Sequence, residues 1–145
     1  MAEMQGIVTV LNTPFTDDDR VDLGALRRHA EIAVAAGVAG FLVPAFAAEV
    51  LDLASAERSD MVRTVVEVAG PAGVPVVGGA TAATHEERCR HAETLGRLGC
   101  SAVLLSQPFT DRAAFRGVLR DIAAASGLPV MLQDFDASGT GIPID

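Results

Sequence analysis

The chain has 145 residues, half of them hydrophobic, and a formal net charge of −8. That length bounds it to one domain with room for a substantial core, and the negative charge argues against nucleic acid and anionic membrane as partners. All 11 basic residues are arginine and there is no Tyr or Trp, so this chain excludes Schiff-base formation on a lysine and acid–base chemistry on a phenol.

No apolar run approaches the length of a membrane span. The N-terminus, MAEMQG, carries neither a basic region nor a cleavage pattern. Cys89 and Cys100 stand in no metal or redox spacing, so a reduced, cytoplasmic protein is expected.

In chain order, Gly6 to Asn12 reads as a first strand, β-branched and apolar, broken by Thr13-Pro14-Phe15. Thr16 to Arg20 is an acidic turn. Asp22 is placed to cap a helix by accepting from its first free N–H groups. Leu23, Leu26, Ala30, Ala33 and Val34 recur at helical spacing, and Gly37 ends that helix as a left-handed C′ residue. Gly40 to Val43 is a short apolar run of the kind found in a strand covered on both faces. Pro44, which has no N–H for a ladder, ends it. A loop of small residues follows, then Glu49, then a helix over Ser55 to Ala69 with Met61, Val62, Val65, Val66 and Ala69 on its apolar face.

The third strand is predicted at Val74 to Val77, with a loop from Gly78 to Ala83. Thr84 and Glu87 form a capping box for the third helix. Cys89, Ala92, Leu95 and Leu98 line the inner side of that helix. Ser101 to Leu105 is the fourth strand, followed by a loop from Ser106 to Thr110. Asp111 caps a fourth helix with the stripe Phe115, Val118, Leu119 and Ile122. Pro129 to Gln133 is the fifth strand. A polar loop, Asp134 to Gly141, and the start of another element, Ile142 to Asp145, complete the chain.

Gly37, Gly73, Gly99 and Gly127 each precede a strand, roughly thirty residues apart, the length of one βα unit. Such a repeat builds a parallel sheet with right-handed crossovers. Two architectures fit it: a complete doubly wound domain, or the first five βα units of a (β/α)8 barrel, which closes at about 250 residues. The two differ in strand order. A barrel sets each strand beside its predecessor, whereas a doubly wound sheet reverses direction once.

Five strand-end motifs occur in one order: GIVTVLNTPF, FLVPAFAAEVLDLASAER, GVPVVGGATAATHE, AVLLSQPF and GLPVMLQDFDASGTG. Together they resemble the N-terminal half of the dihydrodipicolinate synthase / N-acetylneuraminate lyase family, from about Gly6 to Asp145. The resemblance implies a partial TIM (β/α)8 barrel of class α/β. Residues 1–145 are then the N-terminal portion of a lyase-like domain, incomplete as a barrel. It also implies class I aldolase or hydro-lyase chemistry, a tetrameric habit, and a 2-oxo acid, often pyruvate, joined to a lysine as a Schiff base. No metal or other cofactor is implied.

The family's residues carry over unevenly. After the second strand the family has Gly-Thr-Thr-Gly-Glu, whose threonines bind the oxo-acid carboxylate and pass a proton. The matching run here is Ala45-Phe46-Ala47-Ala48-Glu49, and only Glu49 is retained. The catalytic tyrosine and following asparagine at the end of the fifth strand correspond to Gln133 and Asp134. A second tyrosine, supplied by a neighbouring subunit after the fourth strand, corresponds to Thr110, next to Phe109. The lysine of the family lies on the sixth strand, beyond Asp145. Gln133 and Asp134 are therefore the candidate catalytic residues, and Phe46, Ala47, Glu49 and Thr110 the candidate substrate-binding residues.

Each candidate has a blander reading. Glu49 could brace its loop rather than touch substrate. Asp134 could be a base, or a loop carboxylate accepting backbone N–H groups. Gln133 can hydrogen-bond a substrate but cannot transfer a proton as a phenol does. His85 and Cys89, four apart on a helix, have the spacing of two metal ligands, but no further ligand accompanies them. A surface histidine above a core cysteine is the expectation. Asp17 to Asp19 lack the glycine and distal glutamate of a calcium loop. Gly78-Gly79 with Thr81 could cradle a phosphate, but a tight βα loop is the expectation, because barrel phosphate sites favour the last two strands.

The expected function is that of a lyase or aldolase acting on a small 2-oxo or hydroxy acid when full length, homo-oligomeric, with this chain inactive alone. The alternative is a non-catalytic, doubly wound binding or regulatory domain. A half barrel would also leave its inner face in water. At about 25 cal/mol per Å² of apolar surface, several hundred Å² would cost on the order of 10 kcal/mol, comparable to a whole domain's stability.

Overall fold

The computed structural model describes residues 4–134 and 141–142. Five strands alternate with four helices. In order these are β1 (Val8–Val10), α1 (Leu23–Ala35), β2 (Gly40–Val43), α2 (Ser55–Ala69), β3 (Val76–Gly79), α3 (His85–Leu98), β4 (Ala102–Leu105), α4 (Arg112–Ser126) and β5 (Val130–Leu132). A 3-10 turn, Phe46–Ala48, follows β2, and another, Gly70–Ala72, follows α2.

The sheet runs β1-β2-β3-β4-β5 and every pairing is parallel. No strand skips its predecessor, so the doubly wound alternative is excluded and the arrangement is that of consecutive barrel strands. The loops leaving the C-terminal ends of the strands therefore share one rim.

Local chemistry accounts for the helix boundaries. The Asp22 carboxylate accepts from Ala25 N at 2.8 Å, and Asp111 accepts from Ala113 N and Ala114 N at 2.9 Å each. Thr84 and Glu87 form the expected reciprocal capping box. α2 starts differently. Ala54 has no side-chain acceptor to offer, and its own N–H donates to the Glu57 carboxylate at 2.8 Å. Gly37, Gly73, Gly99 and Gly127 all have positive φ, between 67° and 86°, which only glycine adopts without a Cβ penalty.

The third strand lies two residues later than the sequence predicts, at Val76–Gly79 rather than Val74 to Val77. Gly78 and Gly79 are buried strand residues, so the phosphate-cradle reading does not hold. Their lack of side chains serves packing. A Cβ on Gly79 would meet Pro44 O at 1.8 Å, and one on Gly78 would meet Leu95 Cδ2 at 2.3 Å. Val43-Pro44 is a cis peptide.

On the helix side of the sheet, Phe41, Val43, Val76, Val103 and Leu105 pack with Leu26, Met61, Val62, Val65 and Ile122 in one core. Ala45, Val77, Ala102 and Leu104 form a second, smaller cluster on the other face, with Met4, Leu42 and Met131 against it. The inner face meets water only in part. Val77 and Ala102 are fully buried and Leu104 is 4 % exposed, because they crowd against one another and against Met4, whereas Leu42 and Met131 are half-buried and Val10, in register with Leu42, is exposed. Ile7 beside β1 and Leu132 on β5 are exposed at the open edges, and Phe15, Ile32 and Leu51 are exposed away from them. No helix among the described residues is long and apolar enough to cross a membrane.

Candidate functional site

The rim is laced by side chains. Thr13, just past β1, donates from Oγ1 to Ala48 O at 2.7 Å and so ties the first loop to the second. Arg58 reaches from the first turns of α2, its Nε donating to Leu53 O at 3.2 Å and its Nη1 to Thr81 O at 2.8 Å. Thr81 Oγ1 accepts from Ser106 N at 3.1 Å. Arg88, on α3, donates from Nε to Ala82 O at 2.8 Å and from Nη1 to the Gln107 side-chain oxygen. Gln133 N donates to Leu105 O at 2.9 Å, which holds the fifth strand end beside the fourth.

These loops wall a cavity of about 630 Å³ whose lining includes Phe46, Leu53, Arg58, Thr81, Arg88 and His91. Arg58, Arg88 and Glu87 are the charged residues of its lining. Burial lowers the Arg58 guanidinium pKa, an effect the Glu87 carboxylate opposes. Burial, and secondly Arg58, push His91 below its ordinary value. Hydrogen bonds from Thr84 hold Glu87 below the usual carboxylate range.

Of the predicted site residues, only Phe46 lines this cavity. Ala47 is exposed in the 3-10 turn. Glu49 is exposed in the left-handed conformation (φ 56°). Its N–H donates to Phe46 O and its C=O accepts from Asp52 N, so its backbone braces the loop. Thr110 is exposed, directly before the Asp111 cap. Gln133 is half-buried at the end of β5. Asp134 accepts from Ile142 N at 3.2 and 3.3 Å, the loop-carboxylate arrangement. The rest of that loop and the end of the element beginning at Ile142 lie outside the described residues.

Sequence reasoning missed Arg58, Arg88 and His91, and named Thr81 only as a companion of Gly78-Gly79. A signal was present for two of them. Arg58 falls on the same helical stripe as Met61, Val62 and Val65, and Arg88 on that of Ala92 and Leu95. A charged residue on an apolar stripe either snorkels or meets buried acceptors.

The remaining sequence motifs are structural. Cys89 Sγ lies 3.7 Å from His85 Nε2, and the same nitrogen faces Asp121 Oδ2 at 3.2 Å. Among the described residues no group of three or more His, Cys, Asp or Glu is placed to hold a metal ion. The acidic turn is closed by Thr16 and Arg20 with Asp18, next to a bridge between Phe15 and Val21.

Comparison with known proteins agrees with this frame. The 4-hydroxy-tetrahydrodipicolinate synthase 2 of Streptomyces coelicolor is 35% identical over 144 residues, covering 96% of this chain and 47% of that protein. The synthase of Methanosarcina acetivorans is 30% identical, covering 97% and 49%. Among solved structures, a dihydrodipicolinate synthase of Bacillus anthracis superposes with a TM-score of 0.79 at 25% identity, covering 91% of this chain and 46% of that one. The sialic acid aldolase of Ruminococcus gnavus gives 0.86 at 15% identity, covering 97% and 48%, a likeness of fold. The chain thus spans about half the length of the relatives it matches. The model of the dihydrodipicolinate synthetase family matches residues 3–145, and with the barrel strand order and the strand-end rim this shows that the chain belongs to that family.

Proposed function

We propose that this chain supplies the first five βα units of a lyase of the aldolase or hydro-lyase type, acting on a small 2-oxo or hydroxy acid. The observation that supports this is the chain-order parallel sheet, which sends the loops after β2, β4 and β5 to one rim. Chemistry in such sheets belongs to that rim. The names of the relatives, a synthase and an aldolase, support the reaction class.

Phe46 and Ala47 make the substrate loop more apolar than a threonine pair would. The substrate therefore differs from pyruvate plus a semialdehyde in the group that this loop meets. Gln133 orients the acid by hydrogen bonding, and the proton relay of a phenol is absent. The covalent step needs a side-chain amine that 145 residues without lysine do not contain, so the chain is inactive alone and works in the cytoplasm as part of a homo-oligomeric, completed barrel.

The test is borohydride trapping with pyruvate and other 2-oxo acids, read by mass spectrometry. The chain alone should show no adduct on an internal peptide. Joined to a segment carrying the last three βα units, it should show one on a lysine of that segment. An internal adduct on this chain, or none in the completed barrel with any 2-oxo acid, would overturn the proposal.

A further inference from the structure

We propose that Arg58 and Thr81 act as a positioning relay, carrying the placement of the β2–α2 loop across the β3–α3 loop to the first residue of the β4–α4 loop. Its bearing on catalysis rests on the function proposed above. The relay itself does not.

Arg58 is 7 % exposed, yet among the described residues no carboxylate lies within ion-pair distance of it. A buried guanidinium with no carboxylate in direct contact is costly, although Glu87 lies near enough to favour its charge. What the arginine adds is reach in two directions. Its planar fork spans Leu53 O, at the end of one loop, and Thr81 O, in the middle of the next. Thr81, 9 % exposed, then uses its second polar group on the far side, where its Oγ1 accepts from Ser106 N.

The same pattern recurs one residue along. Arg88 holds Ala82 O and the side chain of Gln107. Neighbouring residues 81 and 82 are thus gripped by two guanidiniums, and neighbouring residues 106 and 107 receive the constraint. Past them the loop carries Phe109, packed on Phe115 at 5.4 Å between ring centroids, and the candidate substrate residue Thr110. A displacement of the loop that bears Phe46 is therefore transmitted to the loop that bears Thr110, with no direct contact needed between them.

The experiment is amide hydrogen exchange on the full chain, read at Ser106. Thr81→Val should speed exchange of that amide by about tenfold, the loss of one hydrogen bond in a locally opening segment. Exchange in the middle of α4 should stay unchanged. Thr81→Ser, which keeps the hydroxyl, should restore the wild-type rate. Arg58→Ala should also speed Ser106, although the two bonds it donates go to Leu53 O and Thr81 O, and guanidinium ion in solution should reverse the effect. If Arg58→Ala does not fold, Arg58→Lys decides, because it keeps the charge but cannot bridge both carbonyls. Ser106 exchange that responds to Thr81→Val but to neither Arg58 variant would reduce the relay to one local bond and overturn it. Trapping in the completed wild-type barrel tests the function separately, so failure there with an intact Ser106 response would fell the function and leave the relay.

Discussion

His91 stands in the cavity wall beside Arg58, where burial and that guanidinium both disfavour its protonated form. Its folded pKa lies below the ordinary 6.5, so at mildly acid pH the unfolded chain binds more protons than the folded one. The stabilisation is then fully present above about 6.5 and is lost as the pH falls toward the depressed folded value. Wild type should lose thermal stability between about pH 7.5 and 5.5, and His91→Asn should lose less over the same range. Equal losses in parallel melts would show that His91 is not the responsible group. Cys100 behaves differently. Burial pushes its thiol up to about 12, leaving almost no thiolate near neutrality. Iodoacetamide at about pH 8 should label Cys89 well before Cys100 in the native chain, and both at similar rates in denaturant, as peptide mapping would show.

At the scale of elements, glycines separate backbone need from packing need. Gly79 sits in β3 where its neighbour is the backbone of Pro44, and a methyl group would meet Pro44 O at 1.8 Å. Backbone cannot step aside as a flexible side chain can. Gly79→Ala should cost about 3 kcal/mol or more, at the upper end of overpacking. Gly117 lies inside α4 with nothing within 4 Å of an added Cβ. Gly117→Ala should stabilise by about 0.5 kcal/mol, through helix propensity and the unfolded chain's lost freedom. Urea titration of the pair checks both signs. The caps at Asp22, Thr84 and Asp111 were legible in the sequence because a cap is a contact within three or four residues. The end of β3 was not, since glycine reads as a turn locally and only the approach of Pro44 makes it a strand residue.

At the scale of the whole molecule, β1 and β5 each pair on one side only among the described residues. Ile7 is 76 % exposed there, and Val10 and Leu132 are 40 % exposed each. Unpaired parallel edges with apolar side chains recruit partners. The purified chain should therefore associate at micromolar concentration, and addition of the remaining βα units should suppress this. Sedimentation velocity checks it, and a compact monomer across the concentration range would contradict it.

What the sequence determined by itself was the order of elements, their apolar stripes, their caps and the glycine-punctuated repeat. Each depends on residues close together in the chain. Family membership was legible as well, because five strand-end motifs kept their order. The motifs also implied the chain-order sheet that the structure shows, whereas the tertiary structure alone decided how much of the inner face is covered and where the cavity lies. Arg58 illustrates why. Its partners, Leu53 O and Thr81 O, are backbone carbonyls, identical in every residue type, so no pattern of side chains announces them. Glu49, Thr110 and Asp134 were named from matching positions, but whether a side chain enters a cavity or braces a loop depends on the path of the backbone around it. That path is set by contacts between elements far apart in the sequence.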